Sequence, residues 1–83
     1  PDARVRLTTT EYALLAALVR SGDRPLETAR IYQLLGREPG EKSALEALVY
    51  RVRRKLAQAG AGEHCIRAHR MLGYQLLCRL RIF

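Results

Sequence analysis

The 83-residue chain contains only two cysteines, Cys65 and Cys78, and no tryptophan. Two cysteines are too few for the disulfide framework of a small secreted domain, and they lack the close spacing of a zinc knuckle. His64 and His69 stand near Cys65, but adjacent residues of a strand point to opposite faces and no fourth ligand lies at a usual spacing. We therefore expect reduced, structural cysteines and no metal site.

A long apolar run is also missing. No stretch approaches the roughly 20 residues that a membrane-spanning helix needs, and no signal-peptide pattern opens the chain. There is neither a glycine-rich loop to hold a phosphate group nor a convincing nucleophile beside a base. These absences argue against an enzyme, a cofactor and a small-molecule substrate. Because the first residue is Pro1 and not methionine, we expect residues 1–83 to be one domain cut from a longer protein.

Acidic residues are scarce in the second half of the chain. Residues 1–41 hold six Lys/Arg and six Asp/Glu, whereas residues 42–83 hold nine and two, so the net charge of +7 lies wholly in the second half. A neutral half joined to a basic half indicates a scaffold with a surface for a polyanion. Nucleic acid is the first candidate and an acidic membrane surface the second. A basic face that only aids solubility is the remaining alternative.

The first half of the chain carries signals for a strand and two helices. Alternation over residues 4–7 predicts a short strand, and Thr8 with Glu11 predicts a capping box that starts a helix ending at Gly22. A second helix is predicted over residues 27–35, followed by a solvated loop over residues 37–41. The expected core side chains of these two helices are Tyr12, Leu14, Leu15, Leu18, Val19, Ile31, Leu34 and Leu35.

A third and longest helix is predicted over residues 43–59, opened by a second capping box at Ser43 and Glu46. Five apolar residues fall on one stripe that faces the core, namely Leu45, Leu48, Val49, Val52 and Leu56. Small residues and cations fall on the opposite side, namely Ser43, Ala47, Tyr50, Arg51 and Arg54, with Arg53 and Lys55 flanking them. Small residues let a helix lie close to base edges, and arginine can bond guanine and phosphate.

Two-residue alternation after the third helix predicts an antiparallel hairpin over residues 65–82, with its turn near residues 70–73. The predicted order is a short N-terminal strand, three helices and a C-terminal β-hairpin. This order defines an α+β fold of the winged helix-turn-helix type.

Three stretches resemble the DNA-binding effector domain of OmpR/PhoB-type bacterial response regulators. Residues 7–15 (LTTTEYALL) are similar to the family's Leu-Thr-x-x-Glu-aromatic-x-Leu-Leu opening. Residues 49–56 (VYRVRRKL) resemble its Ile-x-x-Leu-Arg-Arg-Lys-Leu ending of the recognition helix, and residues 66–74 (IRAHRMLGY) resemble its Ile-x-Thr-Val-Arg-Gly-x-Gly-Tyr wing. Met71 departs from this pattern, because the family has a wing glycine there. A positive φ at that position would make a non-glycine residue costly and would alter the wing tip.

The resemblance implies that the third helix enters the major groove of double-stranded DNA and that the hairpin wing touches the adjacent minor groove. It places Arg51 near bases, Ser43 and Arg53 near phosphate, and Arg70 in the minor groove. The predicted DNA contacts, taken together, are Lys42, Ser43, Ala47, Tyr50, Arg51, Arg53, Arg54, Lys55 and Arg70. The loop with Arg37, Glu38 and Glu41 matches the segment that contacts RNA polymerase.

The implied protein is a transcription regulator of a two-component system in the bacterial cytoplasm, and one domain covers so few base pairs that we expect two copies to bind together. Two other functions stay open from the sequence. Winged helices also serve as protein-interaction modules, although such a module does not need a basic helix face. A nucleic-acid binder without sequence preference would keep the basic face and show little difference among DNA sequences.

Overall fold

The computed structural model describes residues 6–36, 42–61 and 64–78; within α3, the side chain of Lys42 lies outside this description. Three helices and three short strands follow one another as α1 (Thr9–Ser21), β1 (Leu26–Glu27), α2 (Thr28–Leu35), α3 (Lys42–Gln58), β2 (Ile66–His69) and β3 (Gly73–Leu76). The strands form one antiparallel sheet in the order β1-β3-β2. This arrangement confirms the α+β winged helix-turn-helix prediction.

The start of α1 is fixed by the predicted capping box. The Thr8 hydroxyl accepts a hydrogen bond from the backbone N–H of Glu11 at 3.1 Å, and the Glu11 carboxylate accepts one from the backbone N–H of Thr8 at 2.9 Å. Gly22 ends the helix with φ 62°. The second predicted capping box is wrong, because α3 begins at Lys42 and Ser43 is its second residue and not its cap.

The sheet corrects the prediction of an N-terminal strand. Arg4 and Val5 lie outside the described residues, and Arg6 and Leu7 belong to no strand. The third strand of the sheet is instead β1, and its residue Glu27 was predicted to start the second helix. Leu26 pairs with Tyr74 and Glu27 with Gly73. Within the predicted hairpin, β2 pairs with β3, with Ile66 opposite Leu76 at one end and His69 opposite Gly73 at the other. Residues 79–82 of the predicted hairpin lie outside the described part.

One hydrophobic core joins α1, α2, α3 and the first residue of β2. All five predicted core residues of α3 are at most 5% exposed, so the helical periodicity located its buried face correctly. Two predictions are wrong: Tyr12 and Leu34 are 43% and 45% exposed. Tyr32 is buried in α2 instead, and Glu11 is a buried carboxylate in α1.

The cysteines lie at the open end of the hairpin. Their Cα atoms are 5.1 Å apart, within the range that a disulfide spans, and their sulfur atoms are bonded. The expectation of two reduced thiols is therefore wrong for this structure. Both residues also contact the hydrophobic core, because Cys65 is buried and Cys78 is partly buried beside it.

Candidate nucleic-acid interface

The outward face of α3 presents two exposed arginines, Arg51 and Arg54. Its core stripe is buried, so the opposite side of the helix must face solvent. Five predicted residues are exposed on this side, in the order Ser43, Ala47, Tyr50, Arg51 and Arg54. They extend over about 16 Å at a rise of about 1.5 Å per residue. We call these five residues the α3 outer face.

Tyr50 and Arg54 form a pair within this face. An Arg54 Nη1–H donates to the Tyr50 hydroxyl at 3.2 Å, and the guanidinium carbon lies 5.9 Å from the centre of the tyrosine ring. The hydrogen bond from Arg54 to the tyrosine oxygen raises the pKa of Arg54, which therefore stays charged. The contact with the ring, which is worth about 0.5–1 kcal/mol at an exposed site, favours conformations in which the guanidinium lies beside Tyr50.

Arg51 forms an ion pair with Glu11 of α1. Its Nε–H donates to Glu11 Oε2 at 3.4 Å, although 52% of the side chain remains exposed. Nε is the nitrogen that bonds to Glu11, and within the described residues the terminal nitrogens of the guanidinium are directed to no other carboxylate. The carboxylate orients a side chain that the family resemblance predicts to lie near bases.

Lys55 is bound to the same carboxylate. Its Nζ donates to Glu11 Oε1 at 2.5 Å, and the side chain is 30% exposed. Burial by itself raises the pKa of the Glu11 carboxyl, but hydrogen bonds from Lys55, from the Thr8 backbone and from Arg51 outweigh it and hold the pKa below its usual value. Glu11 therefore stays ionised and joins the start of α1 to two cations of α3.

Arg53 faces the wing and not the α3 outer face. Its Nε–H and Nη2–H donate to the backbone carbonyl oxygen of Ile66 at 3.1 and 2.9 Å. This double hydrogen bond ties α3 to the first residue of β2. The structure thus gives Arg53 and Lys55, both predicted as DNA contacts, internal partners that the sequence did not indicate.

The wing places two arginines in solvent. Arg70 occupies the turn between β2 and β3, and Arg67 is exposed on β2. The hairpin is held to the rest of the domain by Gln75, whose side-chain N–H donates to the carbonyl oxygen of Asp23 at 2.9 Å and whose Oε1 is 2.7 Å from His69 Nε2. Arg67 was missed by the sequence analysis, since its exposure depends on which face of the hairpin is buried.

Gln58 was also missed. It is exposed one turn after Arg54 and continues the spacing of the α3 outer face. The i to i+4 step could have identified it.

Among the predicted residues, Lys42 begins α3 but its side chain lies outside the described part, and Arg37, Glu38 and Glu41 also lie outside it. Across the described ranges, no group of three His, Cys, Asp or Glu residues is placed to hold a metal ion, and no helix is long and apolar enough to cross a membrane.

Three helices, a hairpin fixed beside the third of them, and an exposed cationic face on that helix define a winged-helix DNA-binding domain. A protein-family model described as "Transcriptional regulatory protein, C terminal" matches residues 2–76. The chain therefore belongs to this family of OmpR/PhoB-type effector domains, which bind double-stranded DNA and regulate transcription and are not enzymes. No curated protein matches the chain.

Proposed function

We propose that the chain recognises a specific sequence of double-stranded DNA, with α3 in the major groove and the β2–β3 wing at the adjacent minor groove. The observation that carries this proposal is the α3 outer face, where small residues and fixed cations share one side of a helix whose other side is buried. A helix about 10–12 Å in diameter fits the major groove, which is about 12 Å wide.

Arg54 and Arg51 are the residues that we assign to recognition. Arginine can donate two hydrogen bonds to O6 and N7 of guanine, or to phosphate oxygens. Arg54 is presented by Tyr50 and Arg51 by Glu11, so both guanidinium groups are oriented before binding. Ser43 and Ala47 let the first half of α3 approach the base edges closely. Lys42 and Arg70 supply further contacts to the DNA backbone and the minor groove.

The wider setting is also a proposal. We infer that the chain is the DNA-binding part of a longer response regulator, that it acts in the cytoplasm of a bacterium, and that two copies bind adjacent half-sites. The loop with Arg37, Glu38 and Glu41 is the segment that we propose for contact with RNA polymerase. The family membership supports these inferences.

Selection of DNA fragments by the purified chain tests the proposal. The best fragment is then titrated against a scrambled duplex at two salt concentrations, with Arg54→Ala, Arg51→Ala and the control Arg20→Ala. Arg20 is an exposed cation in the last turn of α1, so its removal changes the net charge equally. We expect the two α3 variants to lose about tenfold or more in affinity and most of the discrimination, and the control to change little.

Two results would contradict sequence recognition. Equal, salt-sensitive binding to every fragment would indicate a protein that binds only the DNA backbone. An absence of DNA binding at any salt concentration would favour a protein-interaction module.

A further inference from the structure

The tip of the wing carries an apolar side chain that does not pack into the protein core. Met71 is 97% exposed, and Leu72 beside it is 58% exposed. Scattered exposed apolar residues are ordinary on protein surfaces. Met71 differs because its backbone has φ 63°, a conformation that side-chain-bearing residues rarely adopt.

A glycine would occupy this position without steric cost. Methionine there costs conformational free energy, and its exposure shows that burial within the domain does not offset that cost. Strained residues of this kind are concentrated at sites that contact ligands. An external partner for the side chain is therefore the first explanation to test.

Backbone hydrogen bonds hold the turn that carries Met71. The backbone N–H of Leu72 donates to the carbonyl oxygen of His69 at 3.0 Å, which closes the turn. The Leu72 carbonyl oxygen accepts a hydrogen bond from the backbone N–H of Thr28 at 3.1 Å, which fastens the turn to the start of α2. The backbone that carries Met71 is therefore ordered before any partner binds.

Two exposed arginines precede this apolar tip in the hairpin. Arg70 precedes Met71 and is exposed, and Arg67 is exposed on the strand that leads to the turn. Cations attract the tip to a polyanion, while a single unbranched apolar side chain is narrow enough to enter between stacked bases. Proteins that kink DNA combine these features, because they insert methionine, leucine or similar wedges between base steps from the minor groove.

We propose that Met71 is a wedge that enters the minor groove, partly unstacks one base step and bends the DNA at the wing. This inference rests on the proposed function, because the wing lies at the minor groove only when α3 occupies the major groove. It adds a source of specificity, since flexible pyrimidine–purine steps such as TA and CA are the easiest to unstack.

The experiment uses duplexes of the selected sequence with 2-aminopurine placed at successive positions beneath the wing, because the fluorescence of this base rises when it unstacks. Energy transfer between dyes at the duplex ends reports bending. For the unchanged chain we expect a fluorescence rise at one step together with a bend. Met71→Gly removes both signals and lowers affinity about tenfold, whereas Met71→Leu keeps them.

Stability separates this role from a structural one. Glycine relieves the positive φ, so Met71→Gly raises the thermal midpoint of the free domain while it weakens DNA binding. A structural role would move both properties in the same direction, and that outcome would overturn the wedge.

Failure of the wedge and failure of the proposed function give different results. If the unchanged chain selects a sequence but leaves 2-aminopurine stacked, and Met71→Gly binds equally well, the wedge is wrong and sequence recognition stands. A change confined to the number of copies bound would assign the tip to a contact between copies and would also overturn the wedge. If no sequence is selected, both proposals fall.

Discussion

Arg53 and Arg54 are neighbours on α3 with different surroundings. Arg54 is exposed and lies over the Tyr50 ring, whereas Arg53 donates two hydrogen bonds to the carbonyl oxygen of Ile66. Loss of either arginine would weaken DNA binding in a simple assay. The physical reasons differ, because Arg54 is proposed to contact DNA, whereas the loss of Arg53 loosens the wing.

Arg53→Ala therefore lowers the free energy of unfolding by about 2 kcal/mol, since hydrogen bonds from a charged donor are lost and the carbonyl of a buried residue is left unpaired. Urea denaturation measures this change. The slope of log affinity against log salt stays unchanged for the folded variant, whereas Arg54→Ala reduces that slope by about 0.9 if Arg54 contacts phosphate. A reduced slope for Arg53→Ala at unchanged stability would place Arg53 on DNA instead.

Glu11 is a second residue whose effect on DNA binding is indirect. It is buried, ionised and bound to Arg51 and Lys55, so it couples the stability of the fold to the orientation of the α3 outer face. Its carboxyl pKa lies below the ordinary value of 4.5. A group with a lowered pKa in the folded state contributes stability above its unfolded pKa, and that contribution disappears as the pH falls through the folded pKa.

We expect Glu11→Gln to lower the free energy of unfolding by about 2 kcal/mol at neutral pH, because the charge-assisted hydrogen bonds weaken. The difference between their free energies of unfolding narrows as the pH falls below about 4.5 and is smallest below the lowered folded-state pKa, where Glu11 is protonated in the folded state as well. Denaturation at a series of pH values measures it. Glu27→Gln is the control, since Glu27 is exposed and caps no helix with its side chain. A constant difference from pH 7 down to pH 2 would contradict the ion-pair explanation.

The short β1 strand depends on one glycine in β3. A Cβ atom at Gly73 would lie 1.9 Å from the carbonyl oxygen of Leu26 and 2.7 Å from its carbonyl carbon. Both atoms belong to the backbone, so neither can rotate away. The close approach lets β1 pair with β3, and this pairing brings the start of α2 to the wing turn through the hydrogen bond between Thr28 and Leu72.

Gly73→Ala is expected to lower the free energy of unfolding by about 3 kcal/mol, because the added methyl group must separate the two strands. Gly36→Ala is the matched control. Its Cβ would meet no atom within 4 Å, and only its left-handed backbone (φ 65°, ψ 30°) opposes the substitution, at about 1–2 kcal/mol. Urea denaturation compares the two. Equal losses would show that the contact between β1 and β3 adds nothing to the cost of leaving glycine.

These elements also show which parts of the fold could be predicted from the sequence alone. The core stripe of α3 was predicted correctly, because helical periodicity over 17 residues determines which side is buried. β1 could not be predicted, since a strand of two residues has no periodicity and forms only through pairing with β3. Tyr12 and Leu34 were placed wrongly because hydrophobicity alone does not say which side of a short helix meets its neighbours.

The candidate interface was also predicted in part: its exposed positions were predicted correctly, and its internal hydrogen-bond partners were not. The exposed positions of the α3 outer face follow from the helical pattern, and the structure places them as expected. The internal partners of Arg53 and Lys55 lie 13 and 44 residues away in the chain, so only the fold brings them together. A basic residue on the flank of a helix looks the same in the sequence whether it binds phosphate or a carbonyl oxygen.

At the scale of the whole molecule, the net charge is distributed unevenly between the two halves of the chain. The half of the chain with α1 and α2 has no net charge, and the half with α3 and the wing carries all of the +7. Part of that charge is used internally, because Lys55 is paired with Glu11 and Arg53 with a carbonyl oxygen. The number of phosphate contacts is therefore smaller than the number of cations.

With about five to seven phosphate contacts, one domain on a single half-site should show a slope of log affinity against log salt of roughly −4.5 to −6.3. Two domains on a pair of half-sites release twice as many counterions, so the slope for the pair should roughly double. Salt titration by fluorescence anisotropy on duplexes with one and two copies of the selected motif measures both. Arg20→Ala should leave both slopes unchanged, since Arg20 lies on α1 and not on the basic half. An identical slope on the two duplexes would show that one domain binds alone, whereas a doubled slope with half-maximal binding at a lower protein concentration would establish cooperative pairing on DNA.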